Sequence, residues 1–145
     1  MVRSPQRMRA ALLTTLGFAV ALGVVWCIVG LAVPLTGPDA AGWLPVAMIV
    51  AAVAGFLAVL LRLTPATPAL AGILLPAVGG CAGFLVAGGV LHGLGGGNPL
   101  AGPAFALSQF GYPGIYVVAA LSLAAAAAFR MGTSPHRGRH GRPLG

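Results

Sequence analysis

Very few side chains in this sequence can do acid–base, nucleophilic or metal chemistry. There is a single acid, Asp39, against eight arginines and no lysine, with three histidines (His92, His136, His140) and two cysteines (Cys27, Cys81). Enzymatic hydrolysis needs a nucleophile, a base within reach of it and a group that orients the base. A lone carboxylate supplies no acid–base pair, and no serine stands between glycines as a nucleophile elbow requires. The glycine-rich stretch Gly93-Leu94-Gly95-Gly96-Gly97 runs into Asn98-Pro99, not into the Lys-Ser/Thr of a phosphate-binding loop. The cysteines form no CxxC and have no histidine near them in sequence, so each reads as a small buried hydrophobe. The expectation is a protein that is not an enzyme and takes no cofactor and no metal.

The remaining polar groups have structural readings. Asp39 follows the turn sequence Pro34-Leu35-Thr36-Gly37-Pro38 and is expected to cap the next helix, its carboxylate accepting from free N–H groups. His92 closes an apolar run and reads as an interfacial polar stop, with an external pH sensor as the alternative. His136 and His140 lie in a basic tail and read as solvated. Thr14, Thr15 and Ser122 sit inside apolar runs, where hydroxyls bond back to their own helix or across to a neighbour.

These few groups must be held by an apolar chain. Of the 145 residues, 59% are hydrophobic and 6% charged, with a mean hydropathy of +1.00. Soluble domains carry roughly 25% charged residues, and a chain this short could not hide so much apolar surface from water. The implied solvent is lipid. A pI near 11.5 also fits nucleic-acid binders. Here, however, the arginines flank apolar runs instead of interleaving with aromatics, so the expected partner is the bilayer and not nucleic acid.

The fold class predicted is all-α, a polytopic membrane protein forming a four-transmembrane-helix bundle. Residues 1–9 form an irregular basic tail, residues 10–129 the membrane domain, and residues 130–145 a disordered basic Gly/Pro tail. Spans are placed at about 10–33, 43–61, 69–91 and 112–129. Each is near the ~20 residues needed to cross a ~30 Å hydrocarbon core. The first run is longer than the ~7–15 apolar residues of a cleaved signal and is read as an uncleaved span. Pro45 falls in the first turn of the second span; Thr67 is expected as the N-cap and Pro68 as the first helical residue of the third. Pro76 should kink the third span or loosen one hydrogen bond. Residues 100–110 are too few to cross and read as an interfacial or re-entrant piece.

Four crossings put all eight arginines on one side. Arg3, Arg7 and Arg9 precede the first span, Arg62 follows the second, and Arg130, Arg137, Arg139 and Arg142 follow the fourth. Arginine next to spans marks the cytoplasmic side, so a plasma-membrane protein with both termini cytoplasmic is expected. Arg3, Arg7, Arg9, Arg62 and Arg130 then meet lipid headgroups. Trp43, Phe105, Phe110, Tyr112 and Tyr116 cluster toward the other boundary, where aromatic rings favour the headgroup layer.

In lipid, burying Leu against Leu gains nothing, so small residues that let backbones approach matter more. The second span offers Ala47, Ala51 and Gly55, the third Gly79, Gly83 and Ala87, and the first Ala19, Gly23 and Cys27, all at four-residue spacing. Packing within the bundle is the main reading of these seams and a homodimer the alternative. No Asp, Glu, Lys or Arg lies in the middle of a predicted span. Proton-coupled multidrug exporters of this four-helix size depend on an embedded carboxylate, so proton antiport is disfavoured. In composition and topology the chain resembles the small four-helix integral membrane proteins of high-GC bacteria, a likeness that carries no functional residue. Two functions are expected from what remains. One is a non-catalytic accessory or scaffold protein packing on itself, as a homo-oligomer, or on a larger membrane partner. The other is a small transporter or channel component for an uncharged or lipid-like solute, moving along a cleft near Pro76 and the Gly93–Pro99 loop.

Overall fold

A computed structural model describes residues 5–36, 42–96 and 98–133. Among these, every regular element is helical: α1 Pro5–Gly30, α2 Leu44–Arg62, α3 Ala69–Gly95, α4 Ala101–Ser108, a 3₁₀ turn Gln109–Gly111, and α5 Pro113–Thr133. Four of these, α1, α2, α3 and α5, are long and apolar enough to cross a membrane, which makes this a multi-pass membrane protein. The 19 residues of α2 rise about 28 Å, close to the hydrocarbon thickness. At 26 and 27 residues, α1 and α3 reach past it.

Buried positions recur every fourth residue. On α2 they are Leu44, Met48, Ala52, Phe56 and Leu60; on α5 Gly114, Val118, Ser122 and Ala126 continue the same interval. Four residues turn the helix about 400°, so the stripe winds about 40° per step and each helix meets more than one neighbour along its length. The helices form a ring in the order α1, α2, α3, α5, with α5 closing back on α1. Phe18 of α1 meets Phe56 of α2 with ring centroids 4.7 Å apart, and Trp26 of α1 reaches across to Phe84 of α3 at 5.9 Å. Leu22, Met48, Phe56, Phe84 and Val118 fill the axis.

Several boundaries differ from the sequence expectation. Helix α1 already includes Pro5, the first described residue, so Arg7 and Arg9 stand on a helix and not in an irregular tail. α1 stops at Gly30 instead of Val33; the amides of Ala32 and Val33 both turn back to Val29 O. α3 continues four residues beyond Leu91, and α5 carries on through Arg130 to Thr133. Thr67 does not cap α3. Pro68, in extended backbone, is the N-cap residue, and Thr67 Oγ1 accepts from Thr64 N–H at 3.1 Å while pairing with the Thr64 hydroxyl at 3.2 Å. That pair closes the α2–α3 turn, which takes the hydroxyl away from the helix. Pro76 is buried within α3, which runs on through it. Asp39, Arg3 and residues 134–145, with the capping, headgroup and disorder expected of them, lie outside the described residues. The residue before α2 is Trp43, with no side-chain cap bond.

Candidate functional site

Helices α2 and α3 touch backbone to backbone. A methyl group on Gly55 would strike the Gly79 carbonyl oxygen, and one on Gly83 the Ala51 carbonyl oxygen, each far inside contact distance. One on Gly79 would meet Val59 Cγ2 at 2.6 Å and the Gly55 carbonyl oxygen at 2.8 Å. Only hydrogen fits at these three positions, which lets Cα–H groups face carbonyl oxygens across the pair. Gly55, Ala51, Gly79 and Gly83 thus come together in one seam. Ala47 and Ala87 lie a turn further along, both half-buried.

The third small-residue row is placed differently. Nothing lies within 4 Å of where a Gly23 side chain would begin, and Cys27 is exposed. Ala19, Gly23 and Cys27 therefore do not form a seam inside the bundle, and Cys27 is not the buried hydrophobe its apolar run suggested. Spacing marks small residues but not the face that finds a neighbour, and α1 turns Ala11, Thr15, Phe18 and Leu22 inward instead. Cys81 is half-buried, and both thiols are free.

Arg7, Arg9, Arg62 and Arg130 share one end of the bundle. The Phe18–Phe56 contact sets the start of α1 beside the end of α2. At that end Arg130 Nη2 donates to Thr67 O at 3.1 Å, and its guanidinium lies over Gly72. Arg62 is exposed on the last turn of α2, where a cation suits the helix dipole.

The opposite end holds what the sequence left open. Asn98 Oδ1 accepts from Leu100 N–H at 3.1 Å, a turn that starts α4 and sends it back along α3. Residues 101–108 are therefore a separate helix packed on α3. The two meet through glycine: a methyl on Gly89 would lie 2.9 Å from the Gly102 carbonyl oxygen. Phe105, expected at the headgroup boundary, points inward with 5% exposure and stacks on His92 at 4.3 Å and 12°. His92 is thus a packed ring as well as a polar stop. An apolar groove of about 480 Å³ runs between the two helices, with Leu85, Val86 and Ala106 at one end and Leu94 and Pro99 at the other.

A 3₁₀ turn separates α4 from α5, the fourth crossing. Tyr116 Oη donates to Phe110 O at 2.8 Å, tying the 3₁₀ turn to the first turn of α5. Gly114 N–H donates to Leu35 O at 2.8 Å, tying α5 to the segment after α1. The residue that sequence reasoning missed is Gln109, 1% exposed with neither Oε1 nor Nε2 hydrogen-bonded among the described residues. The signal was available, since Gln109 is the one amide side chain between Pro99 and Arg130. By contrast the buried hydroxyls of Thr15 and Ser122 bond back to Ala11 O and Val118 O on their own helices.

The chain matches no known protein family, no curated protein and no solved structure. Function must therefore be argued from its own geometry. Among the described residues no three His, Cys, Asp or Glu side chains come together, so the polar features on offer are the arginine end, the His92–Phe105 stack and Gln109.

Proposed function

We propose that this protein is a non-catalytic accessory or scaffold protein of the plasma membrane, with both termini cytoplasmic, that presents α1 to a larger membrane protein or to a second copy. The observation that carries this reading is the face α1 leaves uncovered. It is the least buried of the four crossings, and side chains added at Gly17 and Gly23 would enter open space. Small residues on a lipid-facing helix allow another helix to approach closely. The filled axis supports the same reading, since a packed core favours a structural part over a conduit. The gathering of Arg7, Arg9, Arg62 and Arg130 at one end supports the orientation. The test is a photo-crosslinking residue at Gly17 or Val20 in native membranes. One discrete protein adduct, weakened by Gly23→Leu, is expected; adducts to lipid alone overturn the reading.

The α3–α4 groove favours a second reading, a small transporter or channel component for an uncharged or lipid-like solute. It reaches Gly93 and Pro99 at one end, is not lined by Pro76, where the cleft was also expected, and is walled by apolar residues. Such a wall suits an acyl chain and offers an ion nothing.

A further inference from the structure

Gln109 is the one buried side chain whose polar atoms no described group of the chain meets. A carboxamide offers two donors and two acceptor positions. Leaving them all unmet in an apolar interior costs more than an ordinary hydrogen bond contributes, and a bilayer offers no ready water in exchange. The backbone around it is accounted for. Gln109 O accepts from Tyr112 N–H at 3.1 Å and Phe110 O accepts from Tyr116 Oη at 2.8 Å. What is left over is the side chain alone, in the turn that leads into a membrane crossing.

The segment that carries Gln109 is short, and it packs through a few contacts. The residues that α4 and the 3₁₀ turn direct inward are Gly102, Phe105 and Gln109. Gly102 rests on Gly89, while Phe105 meets Met48 over Gly88 and stacks on His92. α4, eight residues and about 12 Å long, is bounded by the Asn98 turn at one end and the extended Tyr112 beyond the 3₁₀ turn at the other, the kind of element-terminal positions that serve as hinges. Ala106, one turn before Gln109, already lines the groove.

We propose that Gln109 is the recognition group of a site that opens when α4 moves, for a neutral ligand that carries a hydrogen-bond donor and acceptor side by side on an apolar chain. A primary amide or an undissociated carboxylic acid has that chemistry, and either can form two hydrogen bonds with one carboxamide. Movement of α4 uncovers Gln109, and the α3–α4 groove holds the chain. The inference deepens the lipid-like-solute reading and rests on it.

The test uses the full chain in phosphatidylcholine vesicles and a long-chain primary amide bearing a mid-chain diazirine. Saturable labelling of residues 85–106 is expected, competed by oleamide but not by N,N-dimethyloleamide, which has no donor. Gln109→Leu should weaken saturable labelling about tenfold, corresponding to ~1.4 kcal/mol. It should also melt above the parent, because an unmet amide has been removed. Labelling that does not saturate overturns both the site and the lipid-like-solute reading. Saturable labelling that Gln109→Leu or the dimethyl amide leaves unchanged keeps that reading and removes Gln109 from it. A Gln109→Leu chain melting below the parent shows that the amide is already satisfied, by an internal water, and overturns the proposal.

Discussion

Replacing Gly83 by alanine is the sharpest probe of the α2–α3 seam, because the same exchange at Gly23 provides its control. Both glycines lie inside helices, so the gain in helix propensity, about 1 kcal/mol, is common to the two variants. They differ in what the methyl group meets: the Ala51 carbonyl oxygen for Gly83, open space for Gly23. Relieving the collision requires the helices to part by roughly 1 Å, a gap that forfeits a quarter to a half of the dispersion energy between the atoms involved. Forcing an extra methyl into a packed core costs about 1–3 kcal/mol, and that range is the expected difference in stability between the variants. Gly83→Ala should melt several degrees below Gly23→Ala in mild detergent. Ala51→Gly should not rescue it, since the obstacle is a carbonyl oxygen and not the Ala51 methyl. Equal melting of the two variants, or a higher value for Gly83→Ala, would refute the close approach of the backbones.

Two further outcomes follow from the same packing. In Gly114→Ala the new methyl would collide with Leu35 O and lie 3.0 Å from Trp26 Cη2. Loss of the Gly114–Leu35 hydrogen bond should cost about 1–3 kcal/mol and speed amide exchange at residue 114; unchanged exchange would argue against the bond. A reporter that fluoresces only in the cytoplasm should be bright when fused to either terminus, and one bright and one dark terminus would overturn the proposed orientation.

The long spans were legible because membrane crossing requires an uninterrupted apolar run, and such a run is visible in the sequence without any knowledge of its neighbours. The partners in the seam were less so. Gly55, Gly79 and Gly83 share their spacing with Ala19, Gly23 and Cys27, yet only the first set meets another backbone. What separates the two rows is the rotation of each helix in the ring, which depends on all the other helices. Thr67 carried a capping pattern that the Thr64 hydroxyl overrode from three residues away. Residues 100–110 were recognisably too short to cross, but their direction is set by the Asn98 turn and the Gly89–Gly102 contact. Gln109 could be noticed as an amide in an apolar run, while its lack of a partner appears only once the helices are packed.

The ring order has a consequence for synthesis at the ribosome. α1 is made before α2, α3 and α5, yet one of the two helices flanking it is α5, which emerges after the other three. Until α5 has emerged, α1 must wait in lipid with only one of its two flanking helices, α2, beside it, whereas α2 and α3 can zip together across a short turn as soon as both are inserted. The first of the four crossings to enter the membrane is therefore among the last to gain both of its neighbours, and in that interval the face that α5 will cover is open to whatever the insertion machinery or a neighbouring nascent chain presents.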